Sequence, residues 1–321
     1  MRLMPRTLFS TLMPCLLLAT GALAGADLRI GIIGTDTSHA GAFTSILNDP
    51  AHANHIKGAR VVAAFPGGSK DLKESWSRVD KYAQELKTKY GVEIVADIPT
   101  LLSKVDAVLL ESVDGRPHLA QAKLVIEAGK PLFIDKPLAS TLDDARAIAK
   151  LAAAKGVKWF SSSSLRYADF LIDLKKKAPV TGAIVWGPGP LEEHHQLDLS
   201  WYGVHTVEML YVLMGTGCVE VSRTYSENAE IITGKWKDGR IGTVRTLKPY
   251  GDFGAVAFYE KGLAQSPEKT KFSYVSLMEQ IIPFFQTGKV PVDNSETLEM
   301  FAFMDAAQRS RAAGGKPMNL R

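Results

Sequence analysis

Four polar stretches in this 321-residue chain have the residue types and spacing to do chemistry. The first is Gly34-Thr35-Asp36-Thr37-Ser38-His39, between a short apolar run from Leu28 and a helical pattern at Phe43, Ile46 and Leu47. A strand, tight turn and helix in that order leave amide N–H groups at a helix N-terminus, where the dipole favours a phosphate. The glycine fingerprint of a dinucleotide site is incomplete, because with Gly34 as its first glycine the second falls on Asp36 and the third on His39. A carboxylate there would crowd and repel a pyrophosphate, so an ordinary buried turn stands beside the nucleotide reading.

The second stretch, Phe65-Pro66-Gly67-Gly68-Ser69-Lys70, lacks the acid that usually meets a ribose at the end of the next strand. Ser69 and Lys70 could hold a 2′-phosphate, or form a solvated turn. The third, Glu111-Ser112-Val113-Asp114-Gly115-Arg116-Pro117-His118, leaves the C-terminal end of an apolar strand, the edge at which open α/β sheets bind ligands. It is assigned to cofactor or substrate contact. The fourth is His194-His195, which with Asp198 or His205 could ligate a metal. Adjacent histidines on a strand point to opposite faces, so no metal site is expected.

These residues need elements to hold them. Residues 1–24 read as a secretory signal peptide: Arg2 and Arg6, an apolar run from Leu8 to Leu23, then Ala22-Leu23-Ala24 as a cleavage site. Export to a periplasmic or extracellular space is expected. With 46% hydrophobic and 22% charged residues the chain is an ordinary globular one, with core enough for two domains. Removing the two leader arginines lowers the formal charge from +4 to +2, which gives no footprint for nucleic acid. Nor is a membrane partner expected once the leader is gone. Cys218 is the only cysteine after the leader, so neither an internal disulfide nor a cysteine-based zinc site can form.

Residues 25–160 alternate strand and helix patterns and predict a Rossmann-type, doubly wound parallel sheet. Strands are expected at 60–65, 92–95, 107–110, 131–134 and 157–160. Trp76, Val79, Ala83, Leu86 and Tyr90 predict one helix capped by Gly91, and Ser140 is read as the cap of another. Residues 161–321 then show strand runs at 182–186, 219–224, 231–236, 242–247 and 254–259. They predict a mostly antiparallel sheet with flanking helices, the first of them at 205–214.

Three stretches in this order resemble the Gfo/Idh/MocA family of sugar and polyol oxidoreductases: the Gly34 turn, Gly129 to Leu138 with Asp135-Lys136-Pro137, and Trp201 to Leu210 ending at Met214-Gly215. The resemblance implies hydride transfer between NAD or NADP and a carbon bearing a hydroxyl, in a small carbohydrate-like substrate, by a protein that forms a homo-oligomer. It makes Lys136 the group that polarises the substrate oxygen and His205 the one that exchanges the proton. It places Gly34, Thr35, Asp36, Thr37, Ser38, His39, Ser69, Lys70, Glu111, Ser112, Asp135 and Lys136 at the cofactor. Arg116, His118, Arg166, Tyr167, His194, Trp201, Tyr202 and His205 fall to the substrate. Two departures stand out. The family's Glu-Lys-Pro reads Asp-Lys-Pro, and the acid of its Asp-x-Gly-x-His is Trp201, for which Asp198 or Glu208 could substitute. An indole cannot relay a proton. The alternative is therefore a non-redox descendant, a carbohydrate-binding protein or a lyase or isomerase working through its histidines.

Overall fold

The computed structural model describes residues 26–248 and 250–321, so the expected signal peptide lies outside the described residues. No described helix is long and apolar enough to cross a membrane. The first half builds β1 (Leu28–Ile33), α1 (Ser38–Asn48), β2 (Ala59–Phe65), α2 (Lys73–Trp76), α3 (Val79–Tyr90), β3 (Glu93–Ile94) and α4 (Ile98–Leu102). It continues with β4 (Ala107–Leu110), α5 (His118–Glu127), β5 (Leu132–Ile134), α6 (Leu142–Lys155) and β6 (Trp159–Ser161). The six strands are parallel, in the order β3-β2-β1-β4-β5-β6. Every residue of β4 and β5 is buried, which is why these strands are unbroken apolar runs. The order reverses between β1 and β4, and the crevice outside their C-terminal ends is the ligand edge of such a sheet.

The second half builds α7 (Asp169–Lys177), β7 (Gly182–Pro188), α8 (Val204–Met214), β8 (Cys218–Tyr225), β9 (Ala229–Trp236), β10 (Ile241–Leu247), β11 (Gly254–Phe258) and β12 (Leu263–Gln265). It ends with α9 (Tyr274–Thr287), α10 (Asn294–Ala312) and β13 (Met318–Asn319). These seven strands form a second sheet in the order β12-β11-β7-β10-β9-β8-β13. It is antiparallel apart from the β7–β10 pair, whose connection passes through α8 and the β8–β9 hairpin. All eleven residues of α8 are buried, because it is packed on β7 and β10 of this sheet and covered by α7 and α10. Buried Cys218 is a core thiol.

Three local expectations are corrected. The helix read from Trp76 to Tyr90 is two, broken at Ser77-Arg78, and Trp76 faces outward; Gly91 does cap α3, at φ 68°. The cap of α6 is Thr141 rather than Ser140, since the Thr141 hydroxyl accepts from the Asp144 N–H. Third, α9 turns back onto the first sheet, packing Leu277, Met278 and Ile281 against Ile30, Ile32 and Phe43. Its apolar stripe is buried largely by residues of the first sheet and α1, distant in sequence, so tertiary packing decides where it goes.

Candidate active site

A cleft of about 430 Å³ opens between the two sheets at the C-terminal edge of the first. One wall is the β1–α1 turn, with Thr37, Ser38 and His39, followed by Val113 and Lys136. Trp201, Tyr202 and His205, at the start of α8, face them, and Tyr250, Phe253, Phe272 and Tyr274 close the remaining sides. Lys136 and His205, sixty-nine residues apart, therefore share one cavity. The Lys136 ammonium lies 5.7 Å from the centre of the Tyr202 ring, within cation–π range.

His205 is buried, and its Nδ1 lies 2.7 Å from the Ser163 hydroxyl. Burial, with Lys136 and His39 nearby, holds its proton affinity well below that of a free imidazole. A neutral ring can accept a proton. Ser163 is fixed in turn by Glu208, whose carboxylate accepts from the Ser163 N–H at 2.7 Å and the Ser162 hydroxyl at 2.8 Å. Glu208, one turn after His205, acts on it through Ser163.

The turn itself is shaped by Gly34, at φ 96°, where a Cβ would fall 2.3 Å from the Ser112 nitrogen. The Gly34 N–H donates to Phe65 and that of Thr35 to Pro66, tying the turn to the end of β2. Thr35 also donates its hydroxyl to the Val79 carbonyl at 2.9 Å. Asp36 does not crowd the cleft as its sequence position suggests. It is buried beneath the turn, accepting from the Ser75 hydroxyl at 2.6 Å and the Val113 N–H at 3.2 Å, and burial raises its proton affinity. Thr37 caps α1, accepting from the His39 N–H. The cleft thus keeps an α1 N-terminus with Ser38, and it is also lined by Arg78, paired with Glu74 at 2.6 Å, a cation the sequence reading missed. Arg78 is recognisable only once the break between α2 and α3 carries it to the cleft.

Residues 28–163 match the model of an oxidoreductase family with an NAD-binding Rossmann fold. The chain thus resembles the Gfo/Idh/MocA oxidoreductases through its first domain. Among its relatives, an inositol 2-dehydrogenase of Burkholderia multivorans is 25% identical over 81% of each chain. One of Paracoccus denitrificans is 26% identical over 89% of this chain and 88% of its own. The same fold occurs in the myo-inositol dehydrogenase of Lactobacillus casei, solved with NAD(H) and myo-inositol. That structure has a TM-score of 0.71 at 18% identity, over 92% of this chain and 97% of that one.

The fit of this cleft to a dinucleotide is mixed. The glycine-closed turn, the α1 N-terminus with Thr37 and Ser38, and Arg78 are groups suited to a phosphate, and a nicotinamide beside Lys136 would lie within the cleft. The groove expected for the adenosine is bridged instead. Ser69 is committed to Asp114 at 2.5 Å, and Arg116 forks onto Asp71 at 2.7 and 2.9 Å while also gripping Asp114. Lys70 leans over the Trp76 ring at 5.4 Å. Buried Ser112 donates to Gln121.

Several residues assigned to the substrate are structural. Arg116 belongs to that bridge, and the buried His118 ring lies between the Leu138 and Ser112 carbonyls. Arg166 is tied to Glu208 at 2.6 Å and to Glu296 at 2.7 Å. The Tyr167 hydroxyl is buried, its pKa pushed up to about 12 chiefly by burial. His194 pairs with Glu192 in a separate groove, whereas His195 is buried on Asp114 at 2.9 Å. Asp198 neutralises buried Arg223 and so cannot supply the missing acid. Trp201, Tyr202 and His205 are the substrate candidates that reach the cleft.

Proposed function

We propose that the chain oxidises a hydroxyl-bearing carbon of a polyol or sugar, with NAD or NADP as the hydride acceptor. The observation that carries this reading is the meeting of Lys136 and His205 in one 430 Å³ cleft with the α1 N-terminus, a volume in the range of small-ligand sites. Lys136 would donate a hydrogen bond to the substrate oxygen, and His205, neutral and aimed by Ser163, would take the hydroxyl proton. A bound nicotinamide supplies the acceptor for the hydride. Trp201, Tyr202, Tyr250 and Phe253 offer apolar ring faces for the C–H face of a sugar ring, and the inositol dehydrogenase relatives support a cyclic polyol. Separate titrations of NAD and NADP, followed by turnover on inositols and aldoses read by nicotinamide absorbance, test it.

The bridge of Ser69, Asp114, Arg116 and Asp71 favours the second reading, a non-redox carbohydrate-binding protein, lyase or isomerase. Binding of sugar with no binding of either dinucleotide would decide for it. Export is proposed on the leader sequence, and a mature N-terminus near Gly25 in secreted material is the check. A homo-oligomer is proposed on the outward face of the second sheet, where Ile184, Ile231, Ile241 and Leu263 are exposed on one side. Sedimentation of the wild type and of Ile241→Glu tests that.

A further inference from the structure

Three carboxyl oxygens beneath the cleft have no hydrogen-bond partner among the described residues: both oxygens of Glu111, and Oδ1 of Asp135. Glu111 follows β4 and is completely buried; Asp135 follows β5 and is nearly so. His39, in the first turn of α1, stands beside them, its Nδ1 2.6 Å from Asp135 Oδ2. One donor atom from each of the three lies within 4.8 Å of the others. The parallel order β1-β4-β5 brings them together, because it sets three strand ends side by side.

Buried polar atoms without partners call for an explanation, and buried charges are paired or bind metals. One proton shared between the two carboxyls would satisfy two of the three oxygens and leave the third unpaired. A divalent cation could take one oxygen from each carboxyl together with the imidazole, and would balance two carboxylate charges. One imidazole with two carboxylates suits zinc or manganese better than calcium or magnesium, whose sites are built of oxygen.

We propose that His39, Glu111 and Asp135 form a binding site for a divalent transition-metal ion of the zinc or manganese class. Asp36 from the turn, Lys136 after β5, His205 from α8 and Tyr274 from α9 also face the cluster. Lys136 and the α1 N-terminus oppose a cation, and Asp36 supports one.

The test uses full-length mature protein stripped with chelator and titrated calorimetrically with Zn²⁺ and, separately, Mn²⁺, with no dinucleotide present. The outcome is therefore independent of the hydride-transfer reading. One equivalent should bind and raise the thermal midpoint, and Glu111→Gln should weaken affinity about 10-fold or more. His194→Asn, on the surface pair with Glu192, should leave binding unchanged. Pulsed EPR of the Mn²⁺-loaded wild type should show one coordinated imidazole nitrogen, a readout that needs no variant to fold. Absence of saturable binding, absence of that nitrogen, or binding lost in His194→Asn but kept in Glu111→Gln would overturn the proposal.

Discussion

Replacing Gly34 by alanine separates a glycine required by the fold from one required only by a bound phosphate. Its φ of 96° is open to glycine and strained for alanine, at a cost of about 1–2 kcal/mol. The new Cβ would also lie 2.3 Å from the Ser112 nitrogen and 2.6 Å from its Cα. Both are backbone atoms just past β4, so relief requires the ends of β1 and β4 to part, and overpacking of this kind costs about 1–3 kcal/mol. The sum, about 2–5 kcal/mol, is a large share of the 5–15 kcal/mol typical of a folded domain. Gly91 is the control: its φ is 68° but nothing lies within 4 Å of a built Cβ, so Gly91→Ala should lose only the conformational part. Urea unfolding of the wild type and both variants measures the difference, expected at about 1–3 kcal/mol between the two. Equal losses would refute the argument, and would mean that the turn gives way without strain. If Gly34→Ala is the less stable, dinucleotide affinity should fall with it, because the displaced turn carries Thr37 and Ser38.

Lys136→Met and His205→Asn should each lower kcat by about 10²–10⁴-fold, with the double variant losing less than the product, since both serve one proton transfer. Undiminished turnover in Lys136→Met would end that assignment. Glu208→Ala strips buried Arg166 and the Ser163 N–H of a partner, and should cost about 3 kcal/mol in a denaturant melt. A loss within error of zero would contradict the buried-pair reading. Burial alone would raise the Asp114 carboxyl, but His195, Arg116 and Ser69 outweigh it and hold the group well below the usual carboxylate range. Its stabilising contribution is therefore present above the unfolded pKa of about 3.9 and lost as pH falls through the lower folded value. Asp114→Asn should be less stable than wild type at pH 7 and show a flatter acid limb; identical pH–stability curves would refute this.

The sequence by itself determined the architecture of the first sheet and the residues at its ligand edge. Runs such as Ala107–Leu110 are apolar throughout because both faces of a parallel strand are buried, and Gly34, Gly91 and Asp135-Lys136-Pro137 mark turns through local backbone chemistry. The pairing of Lys136 with His205 was legible only through family resemblance, since no local pattern relates two residues in different domains. What tertiary structure alone decided is the environment of each polar group. Asp36 reads as a charge blocking a phosphate, yet it is drawn under the turn by Ser75, thirty-nine residues away. Arg116, His118 and Arg166 read as substrate contacts, yet each is consumed by partners from other segments. Glu111 has the same letter whether it meets solvent or lies buried without a partner beside Asp135. Charge state and reach depend on burial and on neighbours distant in sequence, and those are properties of the packed chain rather than of any stretch of it.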